Sequence, residues 1–226
     1  LRGLSVVIPS KTASNFIRCA SAIRLAEHDA RIILIDDGVD MQADGAKDFH
    51  PMMSYKGWKP FNFSRNVNQG IALAGTDDVV VMNDDALLQT AGGLTLMQAA
   101  CEEHTNIGII GASCNNVGNR NQFQQGIGLR EEPRMVCFVC VLIPRRTINQ
   151  VGLLDERFVH YGCEDDDYCL RVRNAGLGVF VHDGCFVDHQ SLPSSFRGAA
   201  GAGGDYMPNL EIFKRKWGVD NWGRPA

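Results

Sequence analysis

No apolar run in the 226-residue sequence approaches the roughly 20 residues that a membrane-spanning helix needs, so no transmembrane segment is expected. A basic stripe is missing as well. Lys and Arg number 22 against 26 Asp and Glu, for a formal net charge of −4, and the densest cationic cluster is the short "FKRKW" near the C-terminus. That balance argues against a general nucleic-acid binder. There is no charge block or low-complexity tract long enough to predict disorder, no internal repeat, and no linker that would divide the chain. The P-loop pattern GxxxxGK[ST] occurs nowhere. The opening "LRGLSVVIP" is too short for a signal peptide and reads as the first strand. What remains is one globular domain over residues 1–226, with ample length for a core.

Eight cysteines are present, but they lie inside apolar segments such as "VCFVCVLIP". Cys137 and Cys140 have CxxC spacing, yet three apart on a strand they would face opposite ways, and no second pair stands nearby. Buried free thiols in a reducing compartment are the expectation, which places the protein in the cytoplasm or on its membrane face.

Strands and helices alternate along the first half. "LSVVIPS" reads as a central strand stopped by Pro9, and residues from Asn15 to His28 follow helical spacing with Ser14 or Asn15 as cap. "RIILIDDGVD" is a second buried strand, running into Asp36 and Asp37. Residues from about Met41 to Phe61 lack periodicity and read as loop or short helix. "FSRNVNQGIALAG" predicts a helix capped by Ser64 and ended by Gly75. "DDVVVMNDD" is a third strand, followed by a helix from Ala91 to His104 and the strand "IGIIGAS". Such alternation predicts a mostly parallel sheet flanked by helices, whose ligands gather at the carboxyl ends of the strands. In the second half, "NNVGNRNQFQQGIGLREE" reads as loop or hairpin, "RMVCFVCVLIP" as a buried strand, and "PNLEIFKRKWG" as a closing helix.

Two strands run into paired carboxylates, most conspicuously "VVVMNDDALL" with Asn83, Asp84 and Asp85. Adjacent like charges at the end of a buried strand need compensation, either water at a surface turn or a divalent cation. In "GCEDDDYCLRVRNAGLG", Glu164 to Asp167 would occupy the first turn of a helix ending at Gly176. Acids there interact favourably with the helix dipole, and Asp167 with Arg171 forms an i,i+4 pair, so a purely structural reading is available. Four consecutive acids exceed what a cap needs, and Asp165 faces roughly opposite to Asp167 on a helical wheel. His189 ends the run "GCFVDHQ". A lone His is commonly structural or merely exposed, but an imidazole and a carboxylate also suit Mn²⁺ or a similar cation, with open positions for diphosphate oxygens. The Gly/Ala segment from Ser191 to Gly204 lacks the context of a dinucleotide fingerprint and reads as either a mobile lid or an idle loop.

With these residues in view, the chain resembles the family 2 glycosyltransferases of GT-A fold, particularly the rhamnosyltransferase-like branch. The resemblance runs in order through "SVVIPS", "ILIDDGVD", "FNFSRNVNQGIALAGTDDVVVMNDDALL", "VGLLDERFVHYGCEDDDYCLRVRNAGLGVFV", "FVDHQ" and "EIFKRKWG". It implies a Rossmann-like, mostly parallel sheet with a smaller antiparallel acceptor-side sheet, a nucleotide-binding half at about residues 1–115 and an acceptor-binding half at about 116–226. It implies that Asp37, Pro9 and Ser10 line the nucleotide pocket, that Arg65 and Asn68 help hold the donor, and that Asn83 and Asp84 lie near ribose and diphosphate. Asp85 and His189 would bind Mn²⁺ or Mg²⁺, Glu164 would contact substrate, and Asp165 would be the catalytic base, with the helix dipole favouring its ionised form. The sequence departs from the pattern at Asn83, where Asp is the type residue, and at Lys11-Thr12, where an aromatic is often found. The expected activity is inverting, metal-dependent transfer of a hexosyl unit from a UDP- or dTDP-linked sugar to a hydroxyl of a glycan or other acceptor, as in polysaccharide biosynthesis. Peripheral membrane association is compatible with this. Two rivals are a sugar nucleotidyltransferase, for which "PSKTASN" supplies only Lys11 as a basic phosphate loop, and a non-catalytic nucleotide-sugar or carbohydrate-binding module.

Overall fold

A computed structural model describes residues 2–39, 53–194, 196 and 206–225. Residues 41–52 of the expected irregular stretch, and most of the Ser191–Gly204 segment, lie outside the described residues.

In chain order the elements are β1 (Leu4–Ser10), α1 (Ala13–Ala26), β2 (Arg31–Asp36), β3 (Met53–Lys56), α2 (Phe63–Leu73), β4 (Asp78–Met82), β5 (Leu87–Leu88), α3 (Gly93–Glu103), β6 (Ile107–Cys114), β7 (Leu129–Glu131), β8 (Cys140–Ile143), α4 (Arg145–Val151), α5 (Glu164–Asn174), β9 (Gly178–Asp188) and α6 (Tyr206–Trp217). Among the described residues these strands form a single sheet in the order β3-β2-β1-β4-β8-β6-β9-β5, with β7 also on β9. Strands β3, β2, β1 and β4 run parallel to one another, β8 runs against β4 and β6, and β6 and β9 are again parallel. The main strands other than β8 therefore share one direction, and their carboxyl ends share one rim. The smaller antiparallel part consists of β7 and β5 flanking β9 in this same sheet.

The long apolar runs follow from burial on both faces. Val6, Ile8, Ile32, Leu34, Val80 and Met82 point to the side packed by α1 and α3, while Val7, Ile33, Ile35, Val79 and Val81 point to the side packed by α2, α4 and α5. A third, smaller cluster joins Phe158, Cys163 and Phe213, and seats α6 beside α5. Gly70 permits the closest helix-to-sheet approach, since a Cβ there would stand 2.2 Å from Val7 Cγ1. All eight cysteines are free thiols, seven of them buried. No helix among the described residues is long and apolar enough to cross a membrane.

Several local expectations are corrected. Pro9 does not stop β1, which continues through Ser10 in register with β2; the β1–β4 ladder has already ended at Val7, so the missing N–H costs no bond on that side. The N-cap of α1 is Thr12, without a side-chain cap, and that of α2 is Asn62, whose side chain accepts from the Arg65 amide, rather than Ser64. The run "RMVCFVCVLIP" is a strand only over Cys140–Ile143; Met135, Val136 and Phe138 are buried by tertiary packing outside any ladder.

Candidate functional site

The turn after β4 is built by its neighbours on the rim. Ser10, completely buried at the end of β1, donates its hydroxyl to Asp84 Oδ2 at 2.5 Å, while its carbonyl accepts from the Asp37 amide at 2.7 Å. The two acidic strand ends are thus not adjacent, since β1 lies between them, and Ser10 links one to the other. Asp36 is spent locally. It accepts from the Gly38 and Val39 amides and from Lys56 Nζ at 2.6 Å. Burial alone would raise its pKa, but the Lys56 bond and the two amides reverse that and lower it. Asp37 pairs with Lys59, Nζ to Oδ1 at 3.0 Å.

Pairing of Leu87 with Asp188, across the short β5–β9 ladder, brings the turn before β5, with Asp85 two residues ahead of the strand, to the end of β9. Asp85 Oδ1 and His189 Nε2 meet there at 3.0 Å, both buried, and the Asn83 amide stands 3.5 Å from the same nitrogen. His189 is oriented from β6's end. Its backbone amide donates to Asn115 Oδ1 at 2.9 Å, and its Nδ1 lies 2.6 Å from the Asn116 carbonyl. A carbonyl only accepts, so Nδ1 carries the proton, and in the neutral ring Nε2 presents a lone pair toward the Asp85 carboxylate. Two acceptors at this distance need a cation or proton between them. An imidazole fixed through its far nitrogen to a carbonyl is the usual support of a metal ligand. An octahedral site with bonds of about 2.1 Å has neighbouring ligands about 3.0 Å apart, matching the pair. No cluster of three or more candidate ligand side chains occurs among the described residues, so these two would leave the remaining positions to substrate and water. The donor set fits a divalent cation.

Asp85, Asp84, Asn83 and His189 form one part of the lining of a cleft of about 380 Å³; Glu164, Asp165 and Asp166, at the start of α5, form another. The chain reaches α5 through left-handed backbone at His160 (φ 54°) and Cys163 (φ 67°), each costing about 1–3 kcal/mol for a side-chain-bearing residue. Buried asparagines hold the segment in place. Asn62 Nδ2 donates to the Glu156 and Phe158 carbonyls, and Asn209 accepts from the Val159 amide and donates to the Val159 and Tyr161 carbonyls. Asp167 is not part of the cleft; it binds Arg171, Lys216 and the Trp217 indole, the structural reading of the i,i+4 pair.

The three cleft acids hold their protons unusually well. Burial, then the Asp166 charge, pushes Asp165 up to about 7, although its side chain is partly open to the cleft. Glu164 and Asp166 are raised too, in each case chiefly by burial. The expectation that the helix dipole would keep Asp165 ionised is corrected: desolvation outweighs the dipole here.

Of the other expected residues, Pro9, Ser10 and Asp37 lie on the β1–β2 rim beside Asp84 rather than in the cleft lining. Asn68 and Arg65 both have partners within the fold. Asn68 Nδ2 donates to the Leu154 carbonyl and Glu156 Oε1 and its Oδ1 accepts from the Leu154 amide, while Arg65 pairs with Glu156, so both latch α2 to the 154–156 loop. Sequence reasoning missed Asn115 and Asn116, and missed a cleft wall made by Arg134, Asn221, Trp222 and the stacked rings of Phe61 and Phe196, whose centroids are 4.2 Å apart. Phe61 and Phe196 supply aromatic surface near Lys11, whose Nζ lies 5.5 Å from the Phe196 centroid.

No family model matches the chain. In an alignment of 266 positions it is 23% identical to the uncharacterized protein y4gI of Sinorhizobium fredii (strain NBRC 101917 / NGR234), covering 99% of this chain and 28% of that protein. Among solved structures it is similar to GalNAc-T7 with UDP, GalNAc and Mn²⁺, at a TM-score of 0.73 and 13% identity, covering 95% of this chain and 48% of that one. It is also similar to the mannosyltransferase PcManGT from Pyrobaculum calidifontis in complex with GDP-Man and Mn²⁺, at a TM-score of 0.67 and 12% identity, covering 87% and 59% respectively. The chain spans less than two thirds of each of these proteins. The fold is of GT-A type.

Proposed function

We propose that this chain is an inverting, metal-dependent glycosyltransferase of the family 2, rhamnosyltransferase-like kind, moving a hexosyl unit from a UDP- or dTDP-linked sugar to a hydroxyl of a glycan or other acceptor, as in polysaccharide biosynthesis. The observation that carries this reading is the Asp85–His189 pair, 3.0 Å apart, in the same cleft as the Glu164–Asp166 carboxyls. The nucleotide-sugar and Mn²⁺ complexes of the two similar structures support it.

Mn²⁺ or Mg²⁺ held by Asp85 and His189 would supply Lewis-acid neutralisation of the charge that develops on the departing diphosphate. Asn116 keeps the His189 ring in the tautomer that offers Nε2, and Asn83 and Asp84 border the pair, Asp84 being steadied by Ser10. Asp37, with Pro9 and Ser10, takes the nucleoside end. Asp165 accepts the proton of the acceptor hydroxyl as that oxygen attacks the anomeric carbon. A carboxyl whose pKa is about 7 is matched to this task near neutral pH, because it is both available as base and basic enough to take the proton. Glu164 holds an acceptor hydroxyl beside it. Attack from the Asp165 side and departure toward Asp85 and His189 make a single in-line displacement, with inversion.

The test is release of nucleoside diphosphate from a panel of nucleotide sugars, with and without Mn²⁺. Expected is Mn²⁺-dependent release that grows with a suitable acceptor, and an Asp165→Asn variant that still binds donor but transfers nothing. Tight donor binding without release in the wild type would leave a binding module and overturn the reading.

A further inference from the structure

Trp222 is 59% exposed, yet both its backbone and its ring have partners. Its backbone forms the tip of a short hairpin closed by a Val219–Pro225 bridge. Inside that hairpin Asp220 accepts from the Trp222 amide at 2.9 Å, the Arg224 amide at 2.9 Å and Arg224 Nε at 2.7 Å. The indole is oriented from one side. The Arg134 guanidinium lies 3.8 Å from the ring centroid, and Arg134 also reaches Asp166 at 3.4 Å. Asn221, one residue before, donates to Asp166 Oδ2 at 3.2 Å. An aromatic platform, carrying Arg134 on its ring and still 59% exposed, therefore stands in the same cleft lining as the proposed base. Leaving so large an apolar surface in water forgoes much of the gain of burial, of which the contact with Arg134 recovers only part.

The chemistry of the surroundings selects what the open face can take. Asp84, Asp85, Glu164, Asp165 and Asp166 line the cleft, and the cation facing them from its wall, Arg134, is already engaged by Asp166 and the indole. An anionic acceptor that brings no cation with it would add like charge to this row of carboxyl groups. Glu164 Oε2, buried in that lining, has no donor among the described residues. A ring with electron-rich faces, bordered by hydrogen-bond acceptors, suits a molecule with a polarised C–H face and hydroxyl donors at its edge.

We propose that Trp222 is the acceptor platform: the C–H face of an uncharged pyranose stacks on its open side while the sugar's hydroxyls point to Glu164 and Asp165. This rests on the transferase reading above and narrows its acceptor to a neutral saccharide. Saturation-transfer NMR on the full chain, with a panel of neutral methyl glycosides and the corresponding methyl uronides, reads it without turnover. Expected is contact to at least one neutral glycoside and none to its uronide, with Trp222→Ala weakening the neutral glycoside by about tenfold and Trp222→Phe restoring most of it. The Ala variant should keep the wild-type melting temperature, since the ring is exposed. Undiminished glycoside binding in Trp222→Ala, uronide binding equal to that of the neutral sugar, or no glycoside binding by the wild type would each overturn the proposal. Failure of the transferase reading appears separately, as absence of nucleoside diphosphate release while glycoside binding persists.

Discussion

At the scale of single residues, the proposed use of Asp165 as base sets catalysis against stability. Its carboxyl ordinarily titrates at 3.8 and is pushed to about 7 by burial and by Asp166, so the folded protein binds an additional proton between those values. The sign follows: the stabilising contribution of the protonated acid is complete below about 4 and is lost as pH rises through about 7. Above that the fold carries an ionised, poorly solvated carboxylate. Asp165→Asn keeps the shape and removes the charge, so it should match wild type in urea unfolding near pH 4 and exceed it at pH 8 by on the order of 1–3 kcal/mol, allowing for the open side of the cleft. Transfer by the wild type should rise with pH through about 7, as the base becomes ionised. A destabilised Asp165→Asn at pH 8 would contradict this account. At the other end of the cleft, His189→Ala deletes one of the two proposed protein ligands. The wild-type melting temperature should climb on titration with MnCl₂, and that of the variant should not.

At the scale of elements, much of the site was legible because strand ends are punctuated by their chemistry. Apolar runs buried on both faces announce β1, β2 and β4, and Asp84-Asp85 and His189 stand where such runs stop. The α5 acids were legible as a first turn for the same reason. Less legible were elements whose stability is tertiary. α4 has seven residues and little periodicity, and the hairpin carrying Trp222 is organised by Asp220 rather than by any apolar pattern. Arg65 and Asn68 show the limit from the other side, since their partners in the 154–156 loop are set by tertiary packing, and a polar residue on a helix reads alike whether it meets a ligand, a loop or both. Asn68→Ala would strip the Leu154 amide and carbonyl of their partners, and each orphaned group costs about 1–3 kcal/mol. Urea unfolding should therefore show a loss of about 2–4 kcal/mol, while the Mn²⁺-dependent melting shift survives. Arg65→Ala, whose pair with Glu156 is substantially exposed, should cost no more than about 1 kcal/mol. Gly70→Ala tests the packing directly. With Val7 Cγ1 at 2.2 Å from the new methyl, α2 must lift from β1, at a cost of about 1–3 kcal/mol.

At the scale of the whole molecule, the fold gathers groups from β4, β9, α5 and the C-terminal hairpin around one cleft, and its parts are coupled through what the cleft binds. On the proposed reading Asp85 and His189 would hold only two positions of a cation, so affinity for metal alone should be modest. A diphosphate without a cation would meet the carboxylates of Asp84 and Asp85 in a protein already at a net charge of −4. Each ligand supplies what the other lacks, and by linkage each must raise the other's affinity by the same factor. The consequence is a melting curve that responds to the pair far more than to either member. Nucleoside diphosphate with a chelator should leave the melting temperature unchanged, and Mn²⁺ alone should raise it slightly. Together, at about 100 times the dissociation constant, they should add about 2.7 kcal/mol, which for a chain of this length is a rise of roughly 5–10 °C. Equal and additive shifts from metal and nucleotide would mean that the two bind apart, and that Asp85 and His189 do not meet a diphosphate. Asp85→Asn should collapse the joint shift toward the Mn²⁺-only value, because an amide oxygen replaces the charge that the cation needs while the cleft keeps its shape.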